Sequence, residues 1–154
     1  MSQLIKIGID PSGTGTTAIV VYKNNKLIDK QEFINKNWKE QYEFINDKLF
    51  DYEEKINIED CLYTSANASK DRDDLLRLLG ALSVYKYFIN WVSPKNTKSV
   101  VKNMENLSKY NDSCLWKFDK DINLTYQYGK GWKYNNKKIS NHLRDAIIIA
   151  NYEG

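Results

Sequence analysis

Residues 5–22 read IKIGIDPSGTGTTAIVVY, and their pattern decides the fold. Apolar residues occupy every second position from Ile5 to Ile9, which is the period of a β-strand. Pro11 lacks the N–H that the next ladder hydrogen bond would need, so the strand should end at Asp10. The sequence therefore predicts a carboxylate at the C-terminal end of the first strand.

Two more strands are predicted directly after this one. The β-branched run from Thr16 to Tyr22 is followed by Asn24 and Asn25, which favour a tight hairpin turn, and then by a third strand over Leu27–Ile34. We therefore expect the first three strands to pair antiparallel.

Helices and strands are predicted to alternate in the next segments. Strand character returns from Ile56 to Tyr63, with Glu59 inside the run. The helix before this strand has a period formed by Trp38, Tyr42, Ile45 and Leu49. The helix after it should be capped by Ser69 or Asp71. Its apolar stripe consists of Leu75, Leu78, Leu79, Leu82, Tyr85 and Ile89.

The last third predicts a fifth strand over Asn90–Ser93 and then a basic helix, capped by Asn96 or Thr97, that ends near Tyr110. A final helix should begin at Ser140 or Asn141. This order predicts an α/β chain with one mixed five-stranded sheet flanked by helices, as in the RNase H-like fold. We expect residues 1–154 to form a single domain of this kind.

Residues 111–138 do not fit this pattern, and we expect a loop or a loose hairpin there. Two glycines interrupt a run of aromatic residues interleaved with lysines. The aromatic residues are Trp116, Phe118, Tyr126, Tyr128, Trp132 and Tyr134. They could stack nucleic-acid bases, or they could fill the core or a dimer contact.

Composition and charge narrow the functional classes. The chain has no long apolar run, so we expect neither a signal peptide nor a membrane span, and the two cysteines favour a reducing cytoplasm. Residues 1–92 carry 12 basic and 14 acidic side chains, whereas residues 93–154 carry 11 and 6. This basic excess suits a polyanionic partner or a merely solvated surface. Lysines outnumber arginines 20 to 3, which favours recognition of shape and backbone over reading of bases.

Four side chains are candidates for chemistry. Asp10 and Glu59 would lie side by side if their strands are neighbours, and adjacent carboxylates attract a cation. His142 and Asp145 are three residues apart on a helix, so they share one face. Each has a simpler explanation when taken alone, such as pairing of Asp145 with Arg144.

The motifs GIDPSGTGTTAIVVY, IED and HLRDAIIIAN together resemble those of RuvC-type Holliday junction resolvases, which are dimeric RNase H-like nucleases of bacteria and bacteriophages. The resemblance covers most of the chain outside residues 111–138. It implies that Asp10, Glu59, His142 and Asp145 hold two Mg²⁺ ions per active site, with Mn²⁺ as a substitute. Ser12 departs from the family motif, which has glycine at this position.

The resemblance also implies the partners. These are branched DNA and a second copy of the chain, with no membrane and no small-molecule cofactor, in the cytoplasm of a bacterium or a phage-infected cell. Leu62 or Tyr63 would unstack a base at the junction, and the helix from Leu75 to Ile89 is our candidate dimer interface. We expect the DNA backbone to contact Lys95, Lys98, Lys102, Lys130, Lys133, Lys137 and Lys138.

Two other functions stay open from the sequence. GIDPSGTGTT also resembles the phosphate loop of sugar-kinase and actin-like ATPases, which share the core fold. Alternatively, the chain is a non-catalytic nucleic-acid binding module. The leading hypothesis is a metal-dependent endonuclease that cuts Holliday junctions or other branched DNA.

Overall fold

The computed structural model describes residues 4–61, 70–84 and 88–154. The first part contains β1 (Ile5–Asp10), β2 (Thr16–Lys23), β3 (Lys26–Ile34), α1 (Trp38–Leu49), β4 (Ile56–Glu59), α2 (Lys70–Ser83), β5 (Ile89–Val92) and α3 (Pro94–Lys109). The second part contains β6 (Trp116–Phe118), β7 (Asp121–Gln127), β8 (Gly131–Tyr134), β9 (Lys137–Lys138) and α4 (Asn141–Ala150). Within these described ranges, no helix is long and apolar enough to cross a bilayer.

The first five strands form one mixed sheet in the order β3-β2-β1-β4-β5. β1, β2 and β3 pair antiparallel, whereas β4 runs parallel to both β1 and β5. Asn24 and Asn25 make the β2–β3 turn with positive φ angles of 52° and 67°, as a tight hairpin requires. The predicted mixed sheet with three antiparallel strands is confirmed.

Alternation along the strands gives the sheet two covered faces. Ile7 and Ile9 of β1 point toward α1 and α2, where they meet buried leucines of α2. Ala18, Val20 and Tyr22 of β2 point the other way and pack with α4, Met104 of α3 and the strands after α3. Asp10 follows Ile9 by one residue, so it lies on the α4 side of the sheet.

Residues 111–138 are folded, so the prediction of a loop or loose hairpin is wrong. β6 to β9 form a second, antiparallel sheet, and its turns use the residues that seemed to break the pattern. Gly129 and Gly131 have positive φ between β7 and β8, and Asn135 and Asn136 have φ of 49° and 66° between β8 and β9. The four buried aromatic residues of this sheet belong to the core, namely Phe118, Tyr126, Trp132 and Tyr134.

A buried carboxylate joins the two sheets. Tyr22 of β2 and Tyr134 of β8 donate hydrogen bonds of 2.6 and 2.7 Å to the same oxygen, Oδ2 of Asp121. Burial and the Asp121 carboxylate raise the pKa of both phenols, so they remain donors at any ordinary pH. The second sheet is thereby held against β2.

The predicted stripe of the second helix is partly wrong. α2 ends at Ser83, and Ile89 is instead the first residue of β5 because it pairs with Ile56. Three leucines of the stripe are buried in the core of the same chain and cannot serve as a dimer interface, namely Leu78, Leu79 and Leu82. Ser69 and Tyr85 lie outside the described residues.

Two other predicted helix starts are corrected. Asp71 lies inside α2 rather than capping it. α3 is capped by Ser93 rather than by Asn96 or Thr97, since the Ser93 hydroxyl accepts a 3.3 Å hydrogen bond from the backbone N–H of Lys95.

Gly8 allows α4 to lie directly on β1. A Cβ built at this glycine would overlap backbone atoms of Ala146 and Ala150, and it would stand 2.6 Å from the Ala150 side chain. Backbone atoms cannot rotate away as a flexible side chain can. The distance between β1 and α4 therefore depends on the missing side chain at position 8.

We expect Gly8→Ala to lower the free energy of unfolding by about 2 kcal/mol, because overpacking must push α4 off the sheet. Urea denaturation measures this difference. Gly80→Ala is the matched control, since Gly80 is exposed in α2 and an added methyl meets no neighbouring atom within 4 Å. The control should gain about 1 kcal/mol from helix propensity. Equal effects of the two substitutions would contradict the close-contact explanation.

Candidate active site

Asp10 and Glu59 lie at the C-terminal ends of neighbouring parallel strands. β1 and β4 pair with Ile9 opposite Ile58, and each carboxylate follows one residue later. The Asp10 side chain is 13% exposed, and Glu59 is half-buried. Strand pairing therefore brings together two acidic residues that are 49 positions apart in the sequence.

The first turn of α4 carries His142 and Asp145 to the same edge of the sheet. Nδ1 of His142 stands 3.4 Å from Oδ2 of Asp10. Ser140 caps the helix, because its hydroxyl accepts a 3.1 Å hydrogen bond from the backbone N–H of Leu143. The same hydroxyl donates to the carboxylate of Glu32 on β3, which ties the start of α4 to a third strand of the sheet.

The three carboxylates lie within one another's electric field. Burial raises the pKa of Glu59 to about 7, and the negative charges of Asp10 and Asp145 add to this shift. Burial also raises the pKa of Asp145, and Asp10 raises it further. This repulsion indicates that the three carboxylates lie near one another, and a bound cation would relieve it.

Positive groups already offset part of this repulsion. Burial raises the pKa of Asp10, although the hydrogen bond and the charge of His142 oppose the rise. The hydrogen bond to Asp10 in turn raises the pKa of His142 above its usual value. Asp145 accepts a 2.9 Å hydrogen bond from Nε of Arg144, and NH2 of Arg144 forms an ion pair with the same oxygen at 2.8 Å, so the pairing that the sequence left open is present.

The donor set fits a divalent cation by chemistry. Three carboxylates and one imidazole provide the hard oxygen ligands that Mg²⁺ and Mn²⁺ prefer, with one nitrogen beside them. Across residues 4–61, 70–84 and 88–154, however, no three His, Cys, Asp or Glu side chains stand close enough to form a closed ligand group. The site therefore has the negative charge and the types of ligand that a divalent cation needs, but its side chains are not gathered into a closed ligand set.

A cleft of about 430 Å³ adjoins these acids. Its lining carries three basic side chains, from Lys98 and Lys102 of α3 and from Arg144, together with the acidic side chains of Glu59, Glu105 and Asp145. Both lysines are exposed, as is Lys95 at the start of α3. Three of the seven predicted DNA-binding lysines thus lie on the helix that borders the acidic residues.

The other four predicted lysines lie on the second sheet. Lys130, Lys137 and Lys138 are exposed, whereas Lys133 is half-buried. Across the described part of the chain, none of these four lines the cleft beside Glu59. Leu62 and Tyr63, the predicted base-unstacking residues, lie outside the described residues.

In the loop after β1, Ser12 stands where the family motif has glycine, and its side chain takes part in the structure of the loop. Its hydroxyl accepts a 2.8 Å hydrogen bond from the N–H of Gly15, and its own N–H donates to Oγ1 of Thr17 at 3.0 Å. A Cβ at Gly13 would stand 2.5 Å from backbone atoms of Asp74 and Leu75, so this glycine is needed for close packing on α2. Two amides of the loop, those of Ser12 and Gly15, are therefore bonded within the chain.

Sequence reasoning missed two side chains that support the site. Glu32 contacts Ser140, and the Trp132 ring lies 5.1 Å from the guanidinium of Arg144. The alternation of β3 could have placed Glu32 on the α4 side, since it pairs with Ala18. Nothing in the sequence pattern pointed to Trp132, because its strand was not predicted.

Metal-free protein should show a pH-dependent effect of Glu59→Gln on stability. A carboxyl whose pKa rises from 4.5 to about 7 on folding favours the folded state below pH 4.5, and this contribution is lost as the pH rises through 7. The variant should therefore gain stability relative to wild type between these pH values and keep the gain above them. Urea denaturation across the pH range measures it.

The exposed carboxylate of Glu43 on α1 supplies the control, Glu43→Gln. This control should show no such pH-dependent gain. A Glu59→Gln curve parallel to wild type at every pH would show that the three carboxylates do not share one field.

Comparison with known proteins supports the fold. No protein-family model matches the chain, and no curated protein matches it. The structure of Thermus thermophilus RuvC in complex with Holliday junction substrate superposes with a TM-score of 0.61 at 15% identity, covering 96% of this chain and 91% of that one. A second Thermus thermophilus RuvC structure gives 0.54 at 14% identity, covering 96% and 92%. The chain therefore has the RuvC-type, RNase H-like fold that its motifs predicted.

Proposed function

We propose that this chain is a metal-dependent endonuclease that cuts Holliday junctions or other branched DNA. The observation that carries the proposal is the placement of Asp10, Glu59, Asp145 and His142 at one edge of the sheet, beside a cleft lined by Lys98 and Lys102. The fold adds support, because a RuvC structure with this fold was obtained in complex with Holliday junction substrate. Carboxylates that would hold a cation thus lie beside lysines that would bind the DNA backbone. An enzyme that cuts a polyanion with the help of a metal ion needs both.

Each side chain has a task in this proposal. Asp10, Glu59, Asp145 and His142 would hold Mg²⁺, with two ions per active site and Mn²⁺ as a substitute. A bound divalent cation supplies an activated water and positive charge near the leaving oxygen. Lys98 and Lys102 would hold the DNA backbone along the cleft beside these acids.

A homodimer is part of the proposal, because two identical sites related by a two-fold axis would match the symmetry of a four-way junction. The interface must lie outside the buried leucines of α2.

The two alternative functions are less well supported. A phosphate loop presents free backbone amides to its ligand. Here the amides of Ser12 and Gly15 are taken by side chains of the same loop. A non-catalytic binding module would have no need of three half-buried carboxylates at one edge of the sheet. Cleavage of branched DNA that depends on Mg²⁺ would exclude both.

We expect Asp10→Asn to abolish cleavage of a four-way junction in Mg²⁺ while leaving junction binding intact, because only the ligand for the cation is lost. Gel assays on linear, forked and four-way DNA, with Mg²⁺ present and then chelated, measure cleavage and binding together. Asp47→Asn is the control, since Asp47 is exposed on α1. Full cleavage by Asp10→Asn would remove the proposed mechanism.

Junction binding should weaken steeply with salt through release of counterions from the DNA. Lys98→Ala and Lys102→Ala should each reduce the slope of log affinity against log salt by about 1. Lys26→Ala is the control, because Lys26 is exposed at the start of β3, at the opposite end of the sheet from Asp10. If all three variants keep the wild-type slope, the cleft does not bind the DNA backbone.

A further inference from the structure

Arg144 is held from three directions at the edge of the candidate site. Its Nε donates to Oδ1 of Asp145, its NH2 forms an ion pair with the same oxygen, and its NH1 donates to Oδ1 of Asn141 at 3.2 Å. The guanidinium carbon lies over the Trp132 ring, 5.1 Å from its centre. The Arg144 side chain is only 13% exposed, so its contacts with Asp145 and Trp132 are largely shielded from water. An arginine bound in this way has a fixed position.

Trp132 brings the second sheet into contact with the active site. It lies on β8, is 7% exposed, and packs against Tyr126 of β7 at 5.0 Å between ring centres. Its backbone pairs with Tyr126, which belongs to the sheet that Asp121 joins to β2. The ring that supports Arg144 is therefore part of a rigid, buried structure.

The contacts leave the two oxygens of Asp145 in different states. The hydrogen bond from Nε of Arg144 and the ion-pair contact from its NH2 both end on Oδ1. Among the described residues, Oδ2 of Asp145 accepts no hydrogen bond. The two contacts hold Oδ1 in place, because the planar guanidinium is itself held by Asn141 and Trp132. Oδ2 is thus available as a ligand on a carboxylate whose other oxygen is held.

We propose that Arg144 and Trp132 are positioning residues that orient Asp145 toward a divalent cation, so that the second sheet is a working part of the active site. The inference rests on the proposed function. Outer contacts of this kind hold a ligand in the geometry that a cation needs, and their loss usually weakens metal affinity 10- to 100-fold. The second sheet would then contribute to catalysis without contacting DNA.

The competing possibility is that Arg144 weakens metal binding instead of strengthening it. If Arg144 served only as a counter-charge for Asp145, it would compete with the cation, and loosening it would tighten metal binding. Trp132→Leu separates these effects, because it removes the aromatic face but keeps the charge of Arg144. Arg144→Lys gives a second separation, since it keeps the charge and loses the planar fork.

The test measures Mg²⁺ and Mn²⁺ binding to the DNA-free chain by calorimetry, and junction binding without metal. We expect Trp132→Leu and Arg144→Lys to weaken ion binding by about 10-fold or more. Junction affinity without metal should stay within about twofold of wild type. Trp132→Phe should fall between wild type and Trp132→Leu, because a phenyl ring retains a weaker cation–π contact.

Trp116→Leu is the matched control. Trp116 lies two strands away, opposite Tyr126, which is itself opposite Trp132, and it packs on the same core cluster. The control also removes a tryptophan that packs on this core, and no contact between Trp116 and Arg144 is present in the described residues. It should bind both ions as wild type does.

Equal ion affinities in Trp132→Leu, Arg144→Lys and Trp116→Leu would overturn the inference, and so would tighter binding in the first two. Either result would leave the proposed function standing if the wild-type chain binds the ions and cuts junctions. A wild-type chain that neither binds the ions nor cuts would instead overturn the proposed function. If Trp132→Leu does not fold, Arg144→Lys alone decides the inference.

Discussion

The candidate site depends on the close approach of α4 to β1 at Gly8. Without a side chain at this position, backbone atoms of Ala146 and Ala150 can rest directly on the strand. Toward the N-terminus of α4, its first turn then lies at the end of β1, where His142 contacts Asp10. A wider spacing would separate Asp145 of α4 from Asp10 and Glu59 of the strands. The electrostatic interaction among the three carboxylates would then be lost.

The site combines strong negative charge with neighbouring positive side chains that offset part of it. Burial raises the pKa of Asp10, Glu59 and Asp145, and repulsion from neighbouring carboxylates adds to the rise for Glu59 and Asp145, which costs folding stability. His142 and Arg144 offset part of that cost. Strain of this kind is typical of functional sites, where stability is given up for an arrangement that only a ligand completes.

The sequence predicted the main sheet because its signals are local. Pro11 ends β1, the asparagine pair turns β2 into β3, and alternation sets the faces. The end of α2 was mispredicted because Ile89 continues the helical spacing while it actually pairs with β4. The second sheet was missed because its strands are short and its turns contain the glycines and asparagines that usually signal loops.

The site was partly predictable for the same reason. The three acids and His142 fall at the ends of regular elements, where motif and spacing identify them. The supports of the site are long-range contacts: Trp132 reaches Arg144 from β8, and Glu32 reaches Ser140 across 108 positions. No local pattern encodes such pairs, since they arise only when the two sheets and α4 pack together.

Crystallography of the chain with Mn²⁺, using anomalous scattering, tests the central claim most directly. The account predicts an anomalous peak among the carboxylates of Asp10, Glu59 and Asp145. It would be contradicted by crystals in which Mn²⁺ binds elsewhere while these three carboxylates hold no ion.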